Sequence, residues 1–205
     1  MQQEAKNKYH FYFYTLMKQI YVLRHANWNL EKDDLTKEGK QKCADMRDKL
    51  PAFDFVISSS FQRNIQTTTL LGKEPEVDKR AGVLNLTDEQ NKHITQLRKT
   101  HNLGVVGAIF DTPELIDPVK KAGELLIQLI KETISKLPPN GKALIISHDG
   151  TMISAEMLLQ KNFTKPIKTY DELEGYIVDE QLHTHPFGHK EKRTIPRPKG
   201  QGILS

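Results

Sequence analysis

Residues 143–150 read Ala-Leu-Ile-Ile-Ser-His-Asp-Gly, a short apolar run followed at once by polar residues. A bounded run of this kind, with two consecutive β-branched residues, is typical of a strand that is buried on both faces of a sheet. The next residues, Thr151–Leu159, predict a helix. Strand, polar turn and helix in this order indicate one unit of an α/β fold, with the polar residues at the carboxyl end of the strand.

The same order of residues occurs twice more, earlier in the chain. Ile20–Leu23 predicts a buried strand that is followed by Arg24 and His25. Phe53–Ser58 predicts another strand, and Arg63 lies on the helix expected just after it. The carboxyl ends of parallel strands meet at one edge of a sheet. We therefore expect the side chains of Arg24, His25 and Arg63 to converge on one cleft. His148, which follows the strand at residues 143–147, should lie in the same cleft.

The rest of the chain continues the alternation of strands and helices. This alternation predicts a three-layer α/β/α sandwich around a mostly parallel central sheet. The segment Asn85–Thr112 has the weakest pattern, and only one polar helix is indicated near it. The further elements predicted are helices at Leu35–Leu50, Gln62–Leu71, Asp88–His101 and Pro118–Leu137, the last capped by Asp117, and strands at Val77–Val83 and Gly175–Val178.

Composition and charge exclude several classes of protein. Hydrophobic residues make up 37% of the 205 residues, and no apolar run approaches the ~20 residues that a membrane-spanning helix needs. The formal net charge is +4, and residues 190–205 alone contain five cations and one anion. The body of the chain is thus neutral, and we expect neither a nucleic-acid nor a membrane partner. The one cysteine, Cys43, excludes an intrachain disulfide and fits a cytoplasmic location.

The chain divides into three parts by composition. Residues 1–16 are predicted to be an N-terminal extension, residues 17–182 a single domain, and residues 183–205 a basic tail that we expect to be flexible. A spacing that could bind a transition metal occurs in the tail, at His183, His185 and His189. In a polar tail a solvated loop is the simpler interpretation, so we predict no metal site.

The four residues at the strand ends have the chemistry of phosphoryl transfer. An unprotonated imidazole can attack phosphorus, and free histidine has a pKa near ~6.5, so His25 can act as a nucleophile near neutral pH. Guanidinium groups such as those of Arg24 and Arg63 bind phosphoryl oxygens through charge-assisted, often bidentate hydrogen bonds. His148 could add another donor. With these cations present no metal or cofactor is required, and no Gly-rich phosphate loop of the NTPase type occurs.

Four motifs in chain order resemble those of the histidine phosphatase superfamily, the group with the phosphoglycerate-mutase-like fold. The resemblance implies a phosphatase that hydrolyses a phosphomonoester through a phosphohistidine intermediate. The matching segments, which together span roughly residues 18–160, are Val22-Leu23-Arg24-His25-Ala26, Leu35-Thr36-Lys37-Glu38-Gly39, Ile57–Thr67 with its Arg63, Gln66 and Thr67, and Ile146-Ser147-His148-Asp149-Gly150.

The resemblance also implies roles for the matching residues. His25 would be the residue that becomes phosphorylated, and Arg24, Arg63 and His148 would complete the phosphate pocket. The substrate would be a small phosphorylated molecule or a phosphoprotein. Two other functions stay open, a phosphoglycerate-mutase-type phosphotransferase and a catalytically weak phosphate-binding or scaffold protein.

The general acid is left open between two carboxylates. Mutase-like members carry a glutamate after the third strand, often within Leu-Asn-Glu, but here Leu86 stands at that place. Asp88 and Glu89 lie close by and could substitute. Acid-phosphatase-like members use the aspartate directly after the second histidine, which is Asp149 in this chain. We favour Asp149 over Glu89.

Overall fold

The computed structural model describes residues 17–188, apart from residues 30, 83, 85, 100 and 167, and within these residues one sheet of six strands forms the centre. The strands are β1 (Gln19–Arg24), β2 (Phe55–Ser58), β3 (Glu76–Val77), β4 (Lys142–Ser147), β5 (Gly175–Asp179) and β6 (Thr184–Phe187). The helices are α1 (Lys37–Arg47), α2 (Gln62–Leu70), α3 (Asp88–Leu97), α4 (Gly104–Phe110), α5 (Ile116–Lys136) and α6 (Asp149–Leu159), with short 3-10 turns at Lys79–Ala81 and Pro113–Leu115.

The sheet is mixed and mostly parallel. Its strand order is β3-β2-β4-β1-β5-β6, in which the first four strands are parallel and β5 and β6 are antiparallel to their neighbours. Ile20 and Val22 lie in the core that contains α5 and α6, whereas Tyr21 and Leu23 lie in the core on the opposite face, with α2. Alternate side chains of one strand thus bury against helices on both faces. The predicted three-layer sandwich is confirmed.

Strands β1, β2 and β4 begin and end within two residues of their predicted bounds. The strand predicted at Val77–Val83 is wrong beyond Val77. Asp78 accepts a hydrogen bond from the backbone N–H of Arg80 at 2.8 Å and starts a 3-10 turn there instead. A side chain that bonds the nearby backbone in this way competes with strand pairing. As a result β3 has only two residues.

Helix α5 begins earlier than the sequence indicates. Its N-cap is Leu115, at the end of a 3-10 turn, so Asp117 lies in the first turn and does not cap the helix. In that position the carboxylate still interacts favourably with the helix dipole. The apolar face is otherwise as predicted, and its buried residues include Val119, Leu126, Leu129, Ile130 and Leu137.

The segment with the weakest sequence pattern contains two helices. The first, α3, ends at Leu97, and the second, α4, is apolar and buried from Val106 to Phe110. A Cβ atom on Gly107 would lie 1.8 Å from Nδ1 of His101, so only glycine lets the connection fold back against α4. Glycine weakens a helical pattern in the sequence, which explains why α4 was not predicted.

The sheet extends further towards the C-terminus than predicted. The sequence predicts β5 as the edge strand, but β6 pairs with it in antiparallel register and forms the edge, with Pro186 opposite Tyr176. The residues of β6 belong to the segment predicted to be a flexible tail. Within that segment, His185 and His183 approach the carboxylate of Asp179, at 3.1 and 3.4 Å.

Two predicted segments lie outside the described residues. They are the N-terminal extension, residues 1–16, and the tail from residue 189 onward. Among the residues that are described, no group of three or more His, Cys, Asp or Glu side chains is arranged to hold a metal ion. None of the described helices is long and apolar enough to cross a membrane.

Candidate active site

The sheet brings the two predicted histidines together. β1 and β4 are neighbours in parallel register, with Arg24 opposite Ser147. The next residues, His25 and His148, therefore leave the sheet side by side, and their ring centroids are 5.2 Å apart. Arg63, from the first turn of α2, reaches both rings. All three side chains are buried, so three of the four predicted residues form one compact cluster.

The imidazole of His25 is held in one tautomer. Its Nδ1 lies 2.9 Å from the carbonyl oxygen of Ala26, and because a carbonyl can only accept, Nδ1 carries the proton. Nε2 keeps its lone pair and accepts a hydrogen bond from Nε of Arg63 at 3.3 Å. Burial, and with it the charges of Arg63 and Arg24, lowers the pKa of His25 to about 4, although the bond to Ala26 opposes this shift. The ring is thus neutral at neutral pH.

The imidazole of His148 is neutral for the same reasons. Its Nδ1 lies 3.3 Å from Nη2 of Arg63, and because a guanidinium can only donate, Nδ1 is the acceptor. Nε2 then carries the proton and donates to Oγ of Ser59 at 2.9 Å. Burial, followed by the repulsion that a protonated His25 would exert and by the charge of Arg63, lowers the pKa of His148 well below its ordinary value.

The guanidinium of Arg63 is held by two aromatic rings and one carboxylate. Its Cζ lies 4.1 Å from the ring centroid of Trp28 and 4.5 Å from that of Phe61. Contact with aromatic rings restrains a guanidinium and leaves its N–H groups for hydrogen bonds. Nη1 forms an ion pair with Asp33, whose other carboxylate oxygen accepts from the backbone N–H of Gln62 at 2.9 Å. Asp33 therefore sets the rotation of the guanidinium that meets both histidines.

Asp33 and the two aromatic residues are not among the residues predicted from the sequence. Asp33 has a φ of 53°, in the left-handed region, and lies in the loop before α1. No local pattern distinguishes it from Asp34. Trp28 is the one tryptophan of the chain and stands three residues after His25. A large aromatic residue so close to a strand-end histidine is a signal that could have identified it.

Arg24 and Asp149 form a second group beside the histidines. Nη1 of Arg24 donates to the carbonyl oxygen of Tyr170 at 2.5 Å and lies 3.6 Å from Oδ2 of Asp149. Nε of Arg24 is buried and has no hydrogen-bond partner among the described residues. A buried donor without a partner is costly unless a ligand satisfies it. This edge of Arg24 is therefore suited to an anion.

Asp149 has the environment of a proton donor. It is the first residue of α6, its side chain is 17% exposed, and Oδ1 accepts from the backbone N–H of Tyr170 at 3.0 Å. Burial raises the pKa of Asp149 above its usual value, while Arg24 and the bond from Tyr170 act against this rise. Glu89, the alternative acid, is exposed in the first turn of α3. No described contact joins Glu89 to the two arginines or the two histidines.

The remaining motif residues hold the loop after β1 in place. Oγ1 of Thr67 accepts from the backbone N–H of Ala26 at 3.1 Å, and Oε1 of Gln66 accepts from that of Leu35 at 2.8 Å. A Cβ atom on Gly39 would lie 2.2 Å from a backbone carbonyl oxygen of the same loop. Residues of the second and third motifs thus hold the loop that follows β1. This loop carries Trp28 and Asp33, which contact Arg63.

Solved structures with similar folds include two phosphatases and a mutase. A mycobacterial glucosyl-3-phosphoglycerate phosphatase is 15% identical, with a TM-score of 0.62 over 82% of this chain and 97% of that one. A variant of the phosphoserine phosphatase of Entamoeba histolytica is 19% identical, with a TM-score of 0.54 over 78% of this chain and 90% of that one. A phosphoglycerate mutase of Bacillus anthracis is 14% identical, with a TM-score of 0.57 over 85% of this chain and 94% of that one.

These neighbours are members of the histidine phosphatase superfamily, and at such identities the likeness establishes a shared fold. The predicted phosphoglycerate-mutase-like fold is therefore confirmed. No family model and no curated protein matches the sequence of this chain. The roles of individual residues accordingly rest on the geometry of this site.

Proposed function

We propose that this chain is a metal-independent phosphatase of the histidine phosphatase type, which hydrolyses a phosphomonoester through a phosphohistidine at His25. One observation carries the proposal. The neutral, buried ring of His25 keeps its lone pair on Nε2, in a cluster with Arg63 and His148, and the charge of Arg24 acts on the same ring. A nucleophile surrounded by donors for the phosphoryl oxygens is what phosphoryl transfer requires.

In the first step, the hydrogen bond from Nε of Arg63 to Nε2 of His25 breaks, and Nε2 forms a bond to phosphorus while the bond between phosphorus and the ester oxygen breaks. Arg63 and the free Nε–H of Arg24 donate to the phosphoryl oxygens. Asp149, in its protonated form, transfers its proton to the leaving oxygen, so an alcohol departs and a carboxylate remains. The bond from Nδ1–H to Ala26 stabilises the charge that the imidazole gains.

In the second step, water attacks the phosphorus of the phosphohistidine. The carboxylate of Asp149 accepts a proton from that water, the bond between nitrogen and phosphorus breaks, and the lone pair returns to His25. Inorganic phosphate is released, and the acid is protonated again. The negative charge of the phosphoryl group raises the pKa of His148, so this ring becomes an additional donor when the site is filled.

Hydrolysis of p-nitrophenyl phosphate in excess EDTA tests the activity and its independence of metal together. We expect turnover in the wild-type protein, none in His25→Ala, and wild-type turnover in His93→Ala, because His93 is an exposed histidine on α3. Tight binding of inorganic phosphate without turnover would instead support a phosphate-binding protein. Transfer of the phosphoryl group to an added alcohol rather than to water would support a phosphotransferase.

The intermediate can be trapped directly. Rapid quench with a ³²P-labelled substrate at alkaline pH should give an adduct that is labile in acid and stable in base, and peptide mapping should place it on His25. An adduct on a serine, or no adduct in an active protein, would contradict the mechanism.

A panel of phosphomonoesters can identify the physiological substrate, because substrate choice depends on the site and not on the fold. The structural neighbours are named for glucosyl-3-phosphoglycerate, phosphoserine and phosphoglycerate, which makes these three compounds the natural start of a substrate panel. A phosphohistidine protein and a nucleoside monophosphate should be added to the panel. A preference of more than about tenfold in kcat/KM for one compound would identify the substrate class.

A further inference from the structure

The backbone of one loop residue, Tyr170, contacts two groups of the proposed site. Its carbonyl oxygen accepts from Nη1 of Arg24 at 2.5 Å, and its N–H donates to Oδ1 of Asp149 at 3.0 Å. Both bonds use main-chain atoms, so they depend on where Tyr170 sits and not on the chemistry of its side chain. Anything that fixes Tyr170 therefore also orients the phosphate-binding arginine and the proton donor.

The side chain of Tyr170 is what fixes this position. It is fully buried, and its hydroxyl group donates to Oε2 of Glu156 at 2.5 Å. Glu156 is itself 4% exposed and lies on α6, seven residues after Asp149. Seven residues are about two helical turns, so both carboxylates project from the same side of α6. The hydrogen bond ties the loop to the helix that carries the proposed acid.

The buried carboxylate of Glu156 accepts hydrogen bonds from three neighbouring groups. In addition to the hydroxyl of Tyr170, Nζ of Lys168 lies 3.0 Å and Nε2 of Gln160 lies 3.3 Å from Oε1. Nζ of Lys168 also lies 5.1 Å from the ring centroid of Tyr170. A buried carboxylate is tolerated only when it is paired in this way. Two of its three partners come from the loop, so Glu156 holds the loop at two points.

We propose that Glu156 and Tyr170 are positioning residues, which hold Arg24 and Asp149 in the arrangement that phosphoryl transfer needs. The inference rests on the proposed function for its purpose, but the geometry it describes can be tested without turnover. A merely structural role for the pair predicts a loss of stability alone. A positioning role predicts in addition that the titration of Asp149 and the affinity for phosphate change.

The decisive variant is Tyr170→Phe, which removes one hydroxyl group and keeps the ring. The loop should stay attached to β1, because Leu173 and Glu174 also bond the backbone of Arg24, at 3.1 and 2.9 Å, so only the position of Tyr170 should loosen. The matched control is Tyr176→Phe. Tyr176 is equally buried, and its hydroxyl donates to a backbone oxygen of the same helix at 3.0 Å, without any described contact to Arg24 or Asp149.

Two measurements separate the outcomes. The first is the titration of the Asp149 carboxyl carbon by ¹³C NMR in the free protein, where Arg24, Asp171 and Glu172 are the charged groups that act on it. The ion pair with Arg24 and the hydrogen bond from the backbone of Tyr170 both act against the rise in pKa that burial causes. If Tyr170→Phe loosens these two contacts, the pKa of Asp149 should rise further. The second is the dissociation constant for inorganic phosphate by calorimetry, which we expect to increase about tenfold.

Tyr176→Phe should change neither quantity, although both variants should lower the melting temperature. The inference is overturned if Tyr170→Phe leaves the titration and the phosphate affinity unchanged, or if Tyr176→Phe changes them equally. A wild-type chain that hydrolyses no phosphomonoester would remove the proposed function alone, because the Asp149 titration needs no substrate.

A double-mutant cycle with Glu156→Leu tests whether the two residues act as one unit. Both single variants break the same hydrogen bond, so the double variant should affect the Asp149 titration no more than the stronger single variant. Full additivity of the two shifts would show that Glu156 and Tyr170 act separately, and would contradict the inference.

Discussion

The two ends of the proposed site are held by different means. At the phosphate end, His25 and His148 follow neighbouring parallel strands, and Arg63 is fixed between aromatic rings. At the leaving-group end, Asp149 is oriented by the main chain of a loop, which also holds Arg24 of the phosphate pocket. Regular structure fixes the first end through many contacts, and single hydrogen bonds fix the second. Changes at the first end should therefore affect all substrates alike, and changes at the second should depend on the alcohol that leaves.

The largest effect is expected at the phosphate end, from loss of the nucleophile. His25→Asn keeps a polar group but has no nucleophilic nitrogen, because the lone pair of an amide nitrogen is delocalised, so kcat should fall by ~10⁴-fold or more for every substrate. Steady-state assays with alkyl and aryl phosphates measure this loss. A residual rate within ~10-fold of wild type would contradict the assignment of His25 as the nucleophile, because another group would then be attacking phosphorus.

The next largest effect is expected at the leaving-group end, and it should be selective. An alkoxide needs a proton to leave, whereas a nitrophenolate is already stable, and help from a general acid is typically worth ~10²–10⁴-fold. Asp149→Asn should therefore slow alkyl phosphates by about this factor and spare p-nitrophenyl phosphate by comparison. The ratio of the two kcat/KM values is the measurement.

Glu89→Gln is the control for this selectivity, and it should leave the ratio unchanged. A uniform loss in Asp149→Asn, with the selective pattern in Glu89→Gln, would reverse the assignment of the acid and place the chain nearer the mutase-like branch.

A smaller effect, equal for both classes of substrate, is expected from Arg63→Lys. The substitution keeps the charge but loses the planar fork that meets both histidines, so the rate should fall by ~100-fold, the scale for one lost transition-state donor. Arg47→Lys is the matched control, since Arg47 is more than half exposed and pairs only with its neighbour Asp48 among the described residues. Different losses for alkyl and aryl phosphates would show that Arg63 also acts on the leaving group.

The last effect concerns stability instead of rate, and it follows from the burial of His25 at the phosphate end. The pKa of His25 is lowered from 6.5 to about 4 in the folded protein, so protonation favours the unfolded chain. The stability that the neutral ring permits is complete above about pH 6.5 and is lost as the pH falls towards 4, by about 3 kcal/mol in total. Urea denaturation between pH 7 and pH 4 measures this loss.

The matched variant for the pH experiment is His25→Asn, in which the dependence should become shallower. Part of the pH dependence of stability should remain, because the pKa of His148 is also lowered in the folded protein. An unchanged pH dependence in His25→Asn would mean that His25 is not buried as a neutral ring.

The residues of the phosphate end can be predicted from the sequence more completely than the contacts of the leaving-group end. Apolar runs predict strands, and a residue directly after a strand emerges at a known edge of the sheet, so His25, His148 and Arg63 could be placed in one cleft. Asp149 comes directly after His148, and its role as the acid is what the resemblance to acid-phosphatase-like members implies. The contact of Arg24 with Tyr170 was not found, because the partner is a backbone carbonyl that no side-chain pattern reveals.

The same limit explains the other residues that were missed. Asp33 meets Arg63 because the loop passes through a left-handed conformation, which depends on how the whole loop closes against α1 and α2. Glu156 looks like an ordinary charged position in a helix until the loop covers it. These partners come from long-range packing, whereas the strand-end residues come from local periodicity, and only the latter can be inferred from one sequence.

Both edges of the sheet have features that work against aggregation. β3 offers only two residues for pairing, and β6 carries Pro186, which has no N–H to give to a further strand. Short edge strands and edge prolines are means by which proteins prevent their sheets from joining those of other molecules, the step from which fibrils grow. At high protein concentration, these two strands should therefore favour separate folded molecules over edge-to-edge stacking.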